Sequence, residues 1–360
     1  MYGTRYAAWL MGLMVLAGFS SARGQGYAGL TYDPNTPGRR GQAGMTFLAI
    51  GGSARGEAMG GAFNSIQGDP SAIFYNVGAM ASVPRGFSGY FGRTNWLADM
   101  TLNHVALAYR TRSVAVGLTF VSMDYGRIIG TVIQIPPTDG YLVTGRIEPE
   151  AWAAGIFASM SLTDRFAFGV HVKYAVQDFG AYPYWIATGS TTGDYTYTAA
   201  DLRVTAFTVD LGSQYNTGFH DIMITMAMQN FARPKKFVNG NFDLPLVYRI
   251  GVEADVIELV AGLPNANHAL RLCVDAVDAR DALLDAAIGL EYAANLSVLK
   301  PGSGVALRVG RRAGDAEGRL SFGGGVSTVI GGVKLVIDYS YSDYGPEFNA
   351  HQWGLSVLMP

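Results

Sequence analysis

The chain has 360 residues, of which only 15% are charged, and its net charge of −2 argues against nucleic acid as a partner. Cys273 is its single cysteine, so no intramolecular disulfide framework is available. Hydrophobic residues reach 49%, yet beyond the first 24 positions no run approaches the ~18 consecutive apolar residues of a membrane helix.

Residues 1–24 read as a secretory signal. Arg5 gives it a positive start, and 7–19 form an apolar region of about a dozen residues, too short to cross a bilayer as a helix. Cleavage is expected at Ser20-Ser21-Ala22 or Ala22-Arg23-Gly24. Residues 25–44 are Gly, Pro and polar residues and predict a flexible periplasmic arm.

Residues 45–82 are far richer in Gly and Ala than residues 83–360. Gly51, Gly52, Gly56, Gly60 and Gly61 permit close backbone approach. Asp69-Pro70-Ser71 is a helix-start signal: a polar cap with Pro at the first position. The segment has too little apolar surface to fold alone. It predicts a plug inside a larger object, with Arg55, Met59, Gly60, Gly61, Asp69 and Asn76 as its key residues.

From residue 83 to 360 the dominant period is two. Phe166, Phe168, Val170, Val172, Tyr174 and Val176 alternate with Ala167, Gly169, His171, Lys173, Ala175 and Gln177. Val333, Leu335, Ile337, Tyr339 and Tyr341 likewise oppose Lys334, Val336, Asp338 and Ser340. One apolar face and one face of small and polar residues, in segments of about ten residues, predict an all-β transmembrane antiparallel barrel. About fourteen strands are expected, near 84–92, 100–110, 113–123, 150–161, 165–177, 201–216, 221–230, 245–256, 267–277, 282–294, 303–311, 319–328, 333–341 and 350–359. Short periplasmic turns alternate with longer outer loops, those at 124–149, 178–200, 231–244 and 342–349. Two connections break the pattern: 278–281 is short for an outer loop, and 257–266 long for a turn. Tyr109, Trp152, Tyr215, Tyr248, Tyr292 and Trp353 are expected in the interfacial girdles.

Ala54, Arg55, Ala58, Met59, Gly60, Gly61, Ala62 and Phe63, with Asp69, Ala72, Asn76 and Met80 after them, resemble the N-terminal motif of the PorV/PorQ family. Val77-Gly78-Ala79 stands where those relatives carry Pro-Ala-Gly. The resemblance continues through Ile288-Gly289-Leu290-Glu291-Tyr292, Ala306-Leu307-Arg308-Val309-Gly310 and Ile337-Asp338-Tyr339-Ser340-Tyr341. It implies an outer-membrane barrel related to the FadL hydrocarbon channels. It further implies a component of type IX secretion whose partners are that machinery and secreted substrates with a C-terminal sorting domain.

No catalytic, cofactor or metal motif is expected to operate. The five histidines have no metal spacing, and Gly51 to Gly56 only loosely resembles a phosphate loop. Parity predicts lumen-facing charges at Lys173, Arg203, Arg249, Glu253, Asp255, Arg271, Asp275, Asp285, Glu291, Arg308, Lys334 and Asp338. Mixed signs favour bracing ion pairs over a polar path. His171 is expected as a hydrogen-bonded wall residue. The outer loops carry Tyr141, Tyr182, Tyr184 and Trp185, which either form a protein-docking rim or cap the mouth as folded loops or a hairpin. Three functions are compatible with these features: capture and hand-over of secreted protein, the leading reading; a passive channel for hydrophobic small molecules, the alternative; and an enzyme, which the lack of catalytic motifs sets aside.

Overall fold

Alternation of Val, Leu and Phe with Gly, Ala and Ser gives each strand two unlike faces, and closing the sheet gives each face its own solvent. The computed structural model describes residues 43–133, 141–187, 195–237, 240–262, 265, 267–280, 284–296, 301–313, 319–345 and 348–359. Its strands are β1 (Gly86–Asn95), β2 (Thr101–Arg110), β3 (Val114–Asp124), β4 (Ile128–Ile133), β5 (Tyr141–Ile147), β6 (Glu150–Ser161), β7 (Phe166–Ala187), β8 (Tyr195–Asn216) and β9 (Met223–Phe231). They continue as β10 (Lys235–Phe237), β11 (Gly240–Phe242), β12 (Val247–Asp255), β13 (His268–Ala279), β14 (Asp285–Asn295), β15 (Gly304–Ala313), β16 (Arg319–Ile330), β17 (Val333–Asp343) and β18 (Asn349–Met359). Fourteen of these form one closed barrel; β4–β5 and β10–β11 are separate two-stranded hairpins. Closure joins β1 to β18 antiparallel, from Phe87↔Met359 to Asn95↔His351. A closed ladder leaves no strand edge, which a hydrocarbon layer demands. No helix among the described residues is long and apolar enough to cross a membrane.

The faces divide by parity. Phe91, Leu118, Phe120, Ile156, Phe207, Leu307, Val326 and Ile337 are exposed on the outside. His104, Lys173, Asp275, Glu291, Arg308 and Asp338 are buried inside. Such an apolar exterior is stable only against lipid. Tyr109, Tyr215, Tyr248, Tyr292 and Trp353 are exposed on that outer face, and Trp152 stacks on Phe120 with centroids 6.4 Å apart.

Gly86 and Met359 lie at one end of the barrel, as do the tight connections at 111–113, 162–165 and 331–332. This is the periplasmic end by the construction of such barrels. The long connection after β12 contains a helix, α1 (Val256–Ala261). Asp255, expected as a lumen charge, caps it by accepting from Ile257 N at 2.9 Å, and Gly262 ends it in the left-handed region (φ 74°). The short connection after β13 spans 280–284, of which 281–283 lie outside the described residues.

Two expected outer loops contain paired strands. Residues 124–149 hold the β4–β5 hairpin. Residues 178–200 are largely the continuation of β7 and β8, paired from Ala181↔Asp201 to Ala187↔Tyr195. A bulge between Asp178 and Ala181 lets the ladder bend there, with Gly180 at φ 75°. The expected end of β7 falls where the inward alternation stops, but backbone pairing needs no lumen to continue.

Candidate functional site: the lumen and its inner segment

Residues 43–83 pack against inward-facing wall residues. Their local turns arise from short polar caps. Ser53 accepts from Gly56 N and starts a one-turn helix, Ala54–Ala58. Asp69 accepts from Ser71 N at 2.9 Å and opens the 3-10 turn Pro70–Phe74. Asn76 accepts from Gly78 N at 2.9 Å and opens Val77–Ser82. Val77 thus occupies the first position of a turn, where the N–H has no partner within the turn and Pro fits equally well.

The path of the segment corrects one expectation. Ala43 bridges to Asp243, and Gly44 N donates to Asp243 O at 2.9 Å, in the connection between β9 and β12 at the outer rim. Met45 and Phe47 cluster with Leu102, Met123, Ala151 and Val204, all in the outer half. The segment then descends to Val83, whose carbonyl accepts from Arg110 at 2.7 Å beside the periplasmic start of β1. The last residues of the expected periplasmic arm therefore sit at the opposite end of the barrel, because the chain must travel the lumen before entering β1. Residues 25–42 lie outside the described residues.

On the wall of β12–β18 the segment is held by charge. Glu291 accepts from Arg55 Nε and Nη2, each at 2.7 Å, from Arg271 at 2.8 Å and from Arg308 at 2.7 Å. Arg55 also donates to Asp69 at 3.0 Å, Arg308 to Asp338 at 2.7 Å, and Arg271 lies 3.4 Å from Glu253. Arg312 pairs with Asp285. Asp275 accepts from the backbone N–H of Phe63 and Asn64, both at 2.9 Å. Beside these bonds the wall carries glycines where the segment touches it. A Cβ on Gly60 (φ 67°) would meet Arg311 N at 2.7 Å, and one on Gly323 would meet Ala58 Cβ at 2.7 Å. Met59 is fully buried against Gly289 and Gly310. Gly61 (φ 82°) has space around it instead, its nearest neighbour being 3.8 Å from a built Cβ.

Arg249 donates to Gln229 at 3.2 Å and stands over the Tyr75 ring at 5.4 Å. Burial, then the Glu57 carboxylate that accepts the Tyr75 hydroxyl hydrogen at 2.7 Å, raise that phenol well above its usual range.

The wall of β2–β9 is different. Phe47, Ile73 and Phe74 meet it through apolar contacts, joined by hydrogen bonds such as Asn76 Nδ2 to Ser213 O at 3.1 Å and Gln229 Nε2 to Phe74 O at 2.9 Å, and Gly78 lies against the Gly212 backbone. A buried cluster lies behind: His171 bonds Thr119 at 2.8 Å and Asp210 at 3.0 Å, and Lys173 bonds Asp210 at 2.8 Å and Asn230 at 2.5 Å. A small cavity of about 30 Å³ remains between segment and wall here. At the periplasmic side a polar cavity of about 440 Å³ opens beside Arg55, Asp69, Arg271, Glu291 and Lys334. Outside, the small Ala154 sits between Phe120 and Tyr174 on neighbouring strands and floors an apolar groove.

Most residues singled out by parity are inside the wall, but Arg203 is not. Leu202, Val204, Ala206, Thr208 and Asp210 are buried and face inward, so Arg203 is exposed on the outside, opposite Asp178 near the outer rim. The same one-residue error hides Asp210, since a strand taken in the wrong parity exchanges both faces. The alternation of Ala206, Thr208, Asp210, Gly212 and Gln214 is the available signal. Lys334 faces the polar cavity and is exposed. Tyr141 is exposed on β5. Tyr182, Tyr184 and Trp185 belong to β7, and their side chains lie outside the described residues. Among the described residues no group of three metal-ligating side chains occurs.

No protein-family model matches the chain, and no curated protein matches it by sequence. By structure it is similar to the toluene transporter TbuX of Ralstonia pickettii, with 14% identity over 86% of this chain and 97% of that one and a TM-score of 0.57. It is similar to the monoaromatic hydrocarbon channel CymD at 11% identity, over 86% and 96% of the two chains, with a TM-score of 0.56. The Pseudomonas putida toluene transporter TodX gives 10%, 86%, 97% and 0.56 in the same order. At such identities the shared property is the fold, a FadL-like barrel.

Proposed function

We propose that the protein is a passive outer-membrane channel for hydrophobic small molecules, with residues 45–82 as its plug and no catalytic or cofactor chemistry. The observation that carries this reading is the unequal seating of the inner segment. Ion pairs hold it to β12–β18, whereas apolar side chains and hydrogen bonds meet β2–β9 beside a small cavity. A hydrophobic molecule can share that apolar side without breaking a buried charge. The fold it shares with monoaromatic hydrocarbon channels supports the same reading. The test is uptake of a radiolabelled hydrophobic compound by cells whose own outer-membrane hydrophobe channels are deleted. Uptake above the empty-vector rate is expected; equal rates refute the channel.

The hairpins at the outer rim favour a second reading, the type IX secretion role implied by the PorV/PorQ resemblance. β7 and β8 continue as a pair beyond Asp178, where the neighbouring β6 ends. An extended partner such as a sorting domain fits such a projecting hairpin. Co-purification of a sorting-domain protein with the Tyr184→Ala, Trp185→Ala variant tests it. Lower recovery from a folded barrel supports the role, and undiminished recovery refutes docking at these residues.

A further inference from the structure

His104 projects inward from β2 and is 2% exposed. Its ring meets the Phe74 ring edge-on, with centroids 4.9 Å apart. Both residues border the small cavity between the inner segment and the β2–β9 wall. The other polar side chains around that cavity have partners. Thr119 and Asp210 take the two ring nitrogens of His171, Lys173 is shared by Asp210 and Asn230, and Gln229 bonds Phe74 O and Arg249. His104 Nδ1 is the exception: it is buried and, among the described residues, has no hydrogen-bond partner. A buried polar atom of this kind carries a free-energy cost until something supplies the bond. A cavity of about 30 Å³ admits one water or one small polar group.

We infer that His104 Nδ1 recognises the polar group of the transported molecule, and that the substrate class is a small hydrophobe bearing one hydroxyl. This rests on the channel reading above. A hydroxyl both donates and accepts, so it satisfies Nδ1 in either tautomer of the ring. A charged group does not suit the place, because Lys173 and Asp210 already neutralise each other at 2.8 Å and leave no countercharge. The cavity holds only the polar group, so the apolar body enters by displacing Phe47, Ile73 and Phe74, on the side of the segment that Arg55 does not fasten. A pure hydrocarbon brings no hydrogen-bonding group and leaves Nδ1 unsatisfied.

The probes are p-cresol and p-xylene, which have nearly the same shape and differ by a hydroxyl in place of a methyl. Equilibrium binding is measured on the full chain in lipid nanodiscs, with empty nanodiscs subtracted. Wild type binds p-cresol more tightly by about tenfold to a hundredfold, the size expected for one satisfied buried donor or acceptor. His104→Phe brings the ratio close to one while p-xylene still binds, and His104→Gln keeps a preference for p-cresol. Equal affinities in wild type, or an unchanged ratio in His104→Phe, overturn the inference. Should His104→Phe fail to fold, His104→Leu makes the same comparison. Binding of neither compound counts against the channel itself, whereas p-xylene binding with no preference leaves the channel standing and removes the role of His104.

Discussion

The two walls of the lumen hold the same segment by different physics. Against β12–β18 the contacts are directional: one carboxylate, Glu291, accepts from three arginines, and backbone touches backbone at Gly60 and Gly310. Against β2–β9 apolar side chains and hydrogen bonds such as Asn76 to Ser213 O take the place of the ion pairs, and a cavity remains. Buried ion pairs resist the loss of either partner strongly, because the survivor keeps its desolvation cost. Apolar contacts yield in small increments as shape changes. The segment is therefore anchored by charge on one side and held without ion pairs on the other.

The largest expected effect comes from breaking the anchored side at its centre. Glu291→Ala leaves Arg55, Arg271 and Arg308 without their shared acceptor and is expected to destabilise the barrel by about 3–5 kcal/mol. Urea unfolding in lipid vesicles measures this, and bilayer conductance should rise. A loss comparable to that of a surface substitution would mean the segment is not anchored there.

A second test sharpens the role of backbone contact. Gly60 and Gly61 both have positive φ, but only Gly60 lies against the wall. Gly61→Val carries the backbone strain alone, about 1–3 kcal/mol. Gly60→Val adds overpacking against Arg311, roughly another 1–3 kcal/mol, and should show the greater conductance. Equal effects would show that conformation, and not the close approach, fixes the segment.

The smallest effect belongs to the side held without ion pairs. Ile73→Val removes one buried methylene from the face toward β2–β9 and should cost about 0.5–1.5 kcal/mol by the same unfolding measurement. It should leave the anchored side in place, so conductance should stay near wild type. A large conductance rise from this substitution would reverse the assignment of the two sides.

The barrel is highly legible in the sequence. A period of two is written into the membrane-spanning parts of the barrel strands, and the expected spans of β3, β6 and β17 differ from those observed by two residues or fewer at each end. The failures have particular causes. Parity puts Arg203 inside only if β8 is taken one residue out of phase, which also conceals Asp210 opposite His171. The outer ends of β7 and β8 resemble loop because polar, aromatic and Pro residues there carry no lumen-and-lipid alternation. The arm before Gly44 is expected at the periplasmic side because nothing in its composition reports which mouth of the barrel it meets.

By itself the sequence determined the class of the protein, the number and approximate spans of its barrel strands, the faces of most of them and the cap at Asp69. All of these are local: each is encoded within about ten residues, by alternation or by one polar side chain beside a turn. Only the tertiary structure decided that Arg55 meets Glu291, 236 positions away, and that the segment runs from the outer rim downward. It alone left His104 Nδ1 buried without a partner among the described residues, on a ring that borders a small cavity. Those outcomes depend on how the closed sheet brings distant strands around one segment, and no short stretch of sequence contains that geometry.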